Sequence, residues 1–138
     1  MRIVVIVLLV VLVLAVGLAV YVRVAPSDPD RWHVMPDNVT DRDLEGGVMR
    51  VVDAGAGGLS RLHEIITDTP RTTVLAGSVE EGMITYVSRS KVFGFPDYTT
   101  VQQSGGKIRL YGRLRFGKSD LGVNAKRVDG WLNRFRQG

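Results

Sequence analysis

The hydrophobic pattern of this chain begins with a run of twenty residues without a charge, from Ile3 to Val22. Nearly all of them are valine, leucine, isoleucine or alanine, and no polar stripe would let a helix pack with one face on a soluble core. A helix of this length is about 30 Å long, which matches the hydrocarbon core of a bilayer. The pattern therefore predicts a single transmembrane anchor over residues 1–23.

A cleaved signal peptide is the alternative to an anchor. The apolar part of a signal peptide is about 7–15 residues long and ends in a small-x-small site. Here the run is longer, and Pro26 follows the best small-residue candidate at Ala25. The flanking cations Arg2 and Arg23 are nearly balanced, but short N-terminal flanks usually stay in the cytoplasm. We expect an uncleaved anchor in the cytoplasmic (inner) membrane of a bacterium, with the C-terminal domain on the periplasmic side.

After the anchor, composition divides the chain into a stalk and one small domain. Residues 24–46 are rich in proline and aspartate. Because proline keeps itself and the preceding residue out of helices, this segment is predicted to be an extended stalk. Residues 47–138 are enough for one small domain and too few for two.

Residues 47–138 contain five strand-like runs and two amphipathic helices. The predicted strands are residues 48–52, 72–76, 83–91, 98–103 and 107–116. One helix presents four apolar residues on one face, namely Leu59, Leu62, Ile65 and Ile66. The other repeats Val128, Trp131, Leu132 and Phe135, with Asn124 as its predicted N-cap. Short glycine-containing links join the last four strands, which predicts an α+β fold: an antiparallel sheet of about five strands with both helices on one face.

The last strand has the clearest alternation, because Ile108 and Leu110 point to one side and a row of arginines points to the other. That row consists of Arg109, Arg113 and Arg115. Charge is uneven along the chain: from Arg71 onwards there are twelve Lys plus Arg against five Asp plus Glu. The simplest interpretation is a solvated sheet face. Arginines spaced two apart repel one another, however, so we also expect carboxylates or an anionic partner beside them.

Two glycine-rich patterns resemble nucleotide-binding motifs but lack the required context. Residues 112–119 match the phosphate-loop pattern G-x-x-x-x-G-K-S, although their interior continues the alternation of a strand. Residues 51–57 resemble the first strand and glycine turn of a dinucleotide-binding fold, but hairpins follow them instead of alternating strands and helices. We interpret both as structural turns.

Catalytic and metal-binding patterns are sparse. The chain has two histidines, His33 and His63, without neighbouring ligands at metal spacing, and it has no cysteine nucleophile. We expect no cofactor and no nucleic-acid partner. An enzyme is the third hypothesis, and it would need Asp97 or Asp120 as the acid–base group.

Four segments resemble domain-of-unknown-function family 1499, over roughly residues 45–136. They are residues 70–72, 86–91, 95–97 and 113–124, and the most specific is Arg-x-Gly-x-Ser-Asp-x-Gly-x-Asn-x-x-Arg, which ends at Arg127. The resemblance implies a small α+β domain, often membrane-tethered, in bacteria and photosynthetic organelles, with no assigned reaction. Its arrangement is loosely similar to lipid-binding helix-grip domains, by fold alone.

Two further interpretations stay open from the sequence. In the segment joining the last strand and helix, Asp120 is either a structural clamp, in which Gly117 and Gly122 permit the turns, or part of a ligand pocket. The candidate ligand- or partner-binding residues are Arg89, Asp97, Arg109, Arg113, Arg115, Asp120, Asn124 and Arg127. The first functional hypothesis is a non-enzymatic accessory subunit that docks onto a membrane protein through the basic sheet face. The alternative is a binding module for an amphiphile or an anionic lipid headgroup.

Overall fold

The computed structural model describes all residues, 1–138, and its elements follow the predicted order, with one short helix and one short strand added within residues 24–46. The helices are α1 (Arg2–Val24), α2 (Pro29–Trp32), α3 (Gly58–Thr67) and α4 (Val123–Gln137). The strands are β1 (Arg42–Leu44), β2 (Gly47–Asp53), β3 (Thr72–Ser78), β4 (Met83–Arg89), β5 (Pro96–Ser104) and β6 (Lys107–Leu114). Helix α1 is long and apolar enough to cross a membrane, a property that an anchor shares with a signal sequence.

All six strands form one antiparallel sheet in the order β1-β2-β6-β5-β4-β3. The predicted α+β class is confirmed, with six strands instead of about five. The additional strand is β1, which pairs Arg42 with Met49. It has only three residues, too few to show a period-two pattern, and it falls within the segment predicted as a stalk.

The main core lies between one face of the sheet and helices α3 and α4. Leu62, Ile66 and Leu132 of the helices are fully buried there, together with Ile108 and Leu110 of β6. The predicted alternation of β6 is therefore confirmed, and Trp131 and Phe135 also lie in this core. Burying each such side chain stabilises the domain by about 1.5–3 kcal/mol, which fixes both helices on this face.

The opposite face of the sheet is covered by residues 25–41, which we call the strap. Within the strap, Asp28 caps α2 by accepting from the amide of Asp30, and Pro29 occupies the first helical position. Trp32 then stacks on Tyr98 of β5, with 4.0 Å between ring centroids and 15° between planes. The sequence predicted an extended stalk for residues 24–46. The strap instead lies on the sheet, because the buried indole gains more from contact with Tyr98 than from solvent.

The start of α4 differs from the prediction that Asn124 is its N-cap. The N-cap is Gly122, which has φ 79°, and Asn124 lies in the first turn with its side chain buried. A left-handed φ of this size favours glycine, which explains why the cap has no side chain. Asp120 accepts from the amides of Gly122 and Asn124 and so satisfies two of the free donors of the helix end.

Candidate functional site

The structure separates the eight predicted site residues into two groups and one residue that lies apart. Arg109, Arg113 and Arg115, which we call the sheet arginines, lie under or beside the strap. A second group lies where β5 meets the start of α4, and we call it the connector cluster: Asp97, Asp120, Asn124 and Arg127. Arg89, at the end of β4, reaches the end of α1.

The sheet arginines are bound by carbonyl oxygens of their own chain. Arg109 donates to the carbonyls of Pro36 and Asp37 at 3.3 and 3.4 Å, and Arg115 donates to the carbonyl of Pro26 at 3.0 Å. The strap thus supplies the negative oxygens that we expected from carboxylates or a partner. Their predicted role in docking stays a prediction, and it now requires the strap to leave the sheet.

Arg113 is the most enclosed of the sheet arginines, with 8% of its surface exposed. It donates to Thr100 Oγ1 at 2.9 Å, to the Tyr111 carbonyl at 3.0 Å and to the Trp32 carbonyl. Its guanidinium also lies over the rings of Tyr111 and Trp32, at 4.5 and 5.6 Å from their centroids. No carboxylate pairs with it, so burial lowers the pKa of Arg113 to about 10. Arg113 is therefore a cationic clamp between the sheet and the strap.

The connector cluster is a network of two carboxylates, one amide and one guanidinium. Asn124 Nδ2 donates to Asp120 at 2.9 Å and to Asp97 at 3.4 Å. Arg127 donates to Asp97 at 3.2 Å and to Asn124 Oδ1 at 3.0 Å. All four residues were among the predicted site residues, but the sequence did not predict that Asp97 would be the partner of Arg127.

The pKa values of the two carboxyl groups in this cluster are shifted in opposite directions. Burial raises the pKa of Asp97, and the charge of Asp120 adds to this, while the Arg127 guanidinium opposes it. Burial also acts to raise the pKa of Asp120, but its hydrogen bonds with the Asn124 side chain and the amides of Asn124 and Gly122 outweigh it, so that pKa is lowered. Asp120 is thus a structural acceptor that stays ionised. Asp97 is a largely buried carboxyl whose only ionic partner is Arg127.

Beside this cluster is a cleft of about 320 Å³ at the end of the sheet where β4 ends and β5 begins. Its polar lining comes from Arg71, Arg89, Ser90, Asp97, Ser119, Asp120 and Arg127, and its apolar lining from Phe95, Leu114, Phe116 and Val123. It contains three guanidinium groups, two carboxylates and two hydroxyl groups. Such a set suits a small anion next to an apolar group.

Arg71 is the cleft residue that sequence reasoning missed. It has φ 57°, one of two left-handed values among the non-glycine residues of the chain. Such a conformation costs roughly 1–2 kcal/mol, and strain of this kind is concentrated at functional sites. Arg71 Nε donates to the Arg89 carbonyl at 3.2 Å, and its terminal nitrogens have no partner in the protein. Its sequence signals were its place in residues 70–72, one of the segments that resemble the family, and its position just before the strand that begins at Thr72.

The end of α1 packs against the same end of the sheet as the cleft. Arg89 donates to the carbonyl of Val22 at 3.1 Å, and Arg23 donates to the carbonyl of Val92 at 2.9 Å. Val22 is fully buried, and the ring of Tyr21 lies 6.1 Å from that of Phe116. The cleft therefore opens beside the point where the apolar helix joins the domain.

The other residues and motifs considered for catalysis, metal binding or nucleotide binding have structural roles. His33 Nδ1 is hydrogen-bonded to Thr85 Oγ1, and His63 Nδ1 to the Tyr86 hydroxyl, both at 2.8 Å. No group of three or more His, Cys, Asp or Glu side chains is placed to hold a metal ion. The phosphate-loop pattern at residues 112–119 begins inside β6 and does not lead directly into α4, which starts at Val123.

Comparison with known proteins gives one match. The family model described as "Protein of unknown function (DUF1499)" matches residues 25–135, a range that includes the strap, the sheet and nearly all of α4. No curated protein and no solved structure matches. Because the family match covers most of the 138 residues, this chain belongs to the DUF1499 family of proteins of unknown function.

Proposed function

We propose that this protein is a single-pass membrane-anchored binding module, and that its cleft takes the anionic headgroup of an amphiphile at the bilayer surface. The observation that carries the proposal is the position of the cleft. Three guanidinium groups and an apolar wall meet directly beside the end of α1. A headgroup in the plane of the bilayer surface would reach this cleft without leaving the membrane.

Retention of α1 as an anchor is supported by its contacts with the domain. Cleavage after Ala25 would remove the bond from Arg89 to the Val22 carbonyl and the bond from Arg23 to the Val92 carbonyl, and it would expose the surface now covered by Val22. A signal sequence that is removed has no need of such contacts. The sidedness predicted from the short N-terminal flank, with the domain on the periplasmic side of the inner membrane, is part of this proposal.

The charges of the cleft favour an anion over a cation. Asp97 is paired with Arg127 through Oδ2, and Asp120 accepts three hydrogen bonds from its own chain, so both carboxylates are already engaged. The terminal nitrogens of Arg71, by contrast, are available. Guanidinium groups bind phosphate and carboxylate oxygens through paired hydrogen bonds. We propose binding without catalysis, because both carboxylates already accept hydrogen bonds within the connector cluster.

Docking to a membrane protein through the sheet arginines is the other function that the sequence suggested. It requires the strap to detach, which would break the bonds from Arg109, Arg113 and Arg115 to strap carbonyls. The cleft requires no such rearrangement, so we favour headgroup binding.

Lipid retention by the full chain tests the proposal. The protein is purified from membranes in mild detergent, and the bound phospholipids are extracted and quantified by mass spectrometry. We expect the wild type to retain an anionic phospholipid and Arg71→Gln to lose most of it. Arg71 is exposed, so this substitution should leave the fold intact.

Arg136→Gln is the matched control, because Arg136 is exposed near the opposite end of α4 and its substitution removes the same charge. It should retain as much lipid as the wild type. The proposal is wrong if the wild type carries no anionic lipid, or if the two variants retain equal amounts.

A further inference from the structure

Four aromatic rings form a continuous chain at the end of α1. The ring of Tyr21 contacts that of Phe116. The ring centroids of Phe116 and Phe95 are 6.3 Å apart, and those of Phe95 and Phe93 are 5.7 Å apart. Aromatic side chains concentrate at the headgroup level of membrane proteins, where one side of the ring is apolar and the other is wet. Tyr21 is near the end of the apolar helix. In a bilayer that α1 spans, the three phenylalanines would therefore lie at nearly the same depth as Tyr21.

Two loops extend from this end of the sheet and expose large apolar side chains. The register pairs Arg89 with Pro96 and Asp97 with Leu114, so residues 90–95 and 115–122 leave the sheet on the same side. We call them the two end loops. The exposed apolar residues at or next to them are Val92 (76%), Phe93 (39%), Leu121 (92%) and Val123 (48%). Apolar groups clustered at one end of a domain mark a surface that is covered in use.

Leu121 carries a second anomaly besides its exposure. Its φ is 52°, so Leu121 and Arg71 are the two non-glycine residues with a left-handed backbone, and leucine is bulky. This conformation costs roughly 1–2 kcal/mol relative to a glycine at the same place. The fold thus holds a leucine in a strained conformation at the tip of an end loop. Because its side chain is exposed to water there, it gains no stabilisation from burial. Burial of that side chain against a partner would offset the cost.

Charge around the end loops suits an anionic surface. Arg23, Lys91 and Lys118 are all exposed there. Of the nearby acids, Asp97 and Asp120 are held in the connector cluster, and Glu45, in the β1–β2 turn, is the one exposed acid against these three cations. Exposed cations near a bilayer containing anionic lipid each contribute about 1 kcal/mol of attraction.

We propose that the two end loops are seated in the headgroup layer of the bilayer that α1 spans, with Phe93 and Leu121 inserted among the lipids. The partner is an anionic phospholipid surface. The contact between Arg23 and Val92 continues directly from the anchor into this surface. The inference rests on the retained anchor of the proposed function and is independent of any ligand in the cleft. Seating would fix the orientation of the domain and hold the cleft against the lipid headgroups.

Site-specific fluorescence in a defined bilayer tests this inference, because the chain has no cysteine of its own. Single-cysteine variants Leu121→Cys and Phe93→Cys are labelled with an environment-sensitive dye. The full-length proteins are then reconstituted into nanodiscs of phosphatidylcholine and phosphatidylglycerol. Ser104→Cys is the matched control, because Ser104 is exposed in the β5–β6 hairpin at the other end of the sheet.

We expect blue-shifted emission at positions 121 and 93, with quenching by nitroxide-bearing lipids several-fold stronger than at position 104. Equal emission and equal quenching at all three positions would overturn the inference. Repeating the measurement in the Arg71→Gln background separates the two proposals. Loss of cleft-bound lipid with quenching at position 121 unchanged supports seating by itself, whereas loss of quenching together with the lipid would overturn its independence from the cleft.

Discussion

Replacing Arg113 with alanine is expected to detach the strap while the helix-covered core stays folded. The guanidinium makes three hydrogen bonds, one of them to the Trp32 carbonyl, and lies over two aromatic rings. Alanine removes all of these at once. It leaves the Trp32 carbonyl with only the 3.3 Å bond from Thr100. The hydrogen-bond and ring partners of Arg113 do not belong to the core under α3 and α4, so the main core should be unaffected.

The magnitude follows from the contacts that join Arg113 to the strap. Only the bond to the Trp32 carbonyl and the contact with the Trp32 ring do so, because Thr100 and Tyr111 belong to the sheet. A hydrogen bond from a charged donor contributes about 1.5–3 kcal/mol, and the contact of a cation with an aromatic ring about 0.5–1 kcal/mol. Their loss should destabilise the strap-bound state by about 2–4 kcal/mol, so the strap should open far more often than in the wild type.

Trp32 provides a local probe of this change. In a Trp131→Phe background it is the only tryptophan, and its emission should shift to the red in Arg113→Ala while the far-ultraviolet circular dichroism of the domain is retained. Trypsin cleavage after Arg31 should accelerate as well. Arg42→Ala is the control, because Arg42 is exposed and its side chain makes no bond. Unchanged Trp32 emission and unchanged cleavage in Arg113→Ala would refute the clamp.

Three further predictions concern the connector cluster and the membrane. Asp120→Asn should lower the free energy of unfolding by about 1–2 kcal/mol, since a neutral amide replaces an ionised acceptor of three bonds; a change below about 0.5 kcal/mol in urea unfolding would move Asp120 to a purely functional role. Because the folded-state pKa of Asp97 is raised, its contribution to stability should be present at acid pH and lost as pH rises from the ordinary aspartate range. This component should be missing from the pH–stability curve of Asp97→Asn, and a curve of unchanged shape would contradict the shift. Finally, Ser104→Cys should react with a membrane-impermeant maleimide in intact spheroplasts, whereas protection until lysis would reverse the proposed sidedness.

The sequence predicted the core side of the domain well because its pattern is local. Ile108 and Leu110 alternate with arginines, and Trp131 and Phe135 recur at helical spacing, so each element revealed its own buried face. The elements from β2 to α4 were placed within a few residues for that reason.

The strap side could not be predicted in the same way. Trp32 lies in a segment rich in proline and aspartate, and no local period marks its ring as buried. The acceptors for Arg113 and Arg115 are main-chain carbonyls, which every residue has, so no residue type identifies them. Identifying them required the path of the chain across the sheet.

The cleft shows a similar division. Asp120 and Asn124 stand four residues apart and were grouped from sequence, whereas Arg71 and Phe95 join them only because strand ends converge at one edge. Asn124 was predicted to be the cap of α4, but the left-handed turn at Gly122 gave that position to glycine and the capping bonds to Asp120. Long-range convergence of this kind follows from sheet topology and leaves no local signal.

Native mass spectrometry of the full chain ejected from nanodiscs tests the central claim most directly. The nanodiscs contain equal amounts of phosphatidylglycerol and phosphatidylcholine, so the two headgroups compete for the cleft. We predict that one phosphatidylglycerol stays bound to the wild type under activation that strips phosphatidylcholine, and that Arg71→Gln loses this adduct. A wild type that emerges without lipid, or with both lipids in equal proportion, would contradict headgroup binding by the cleft.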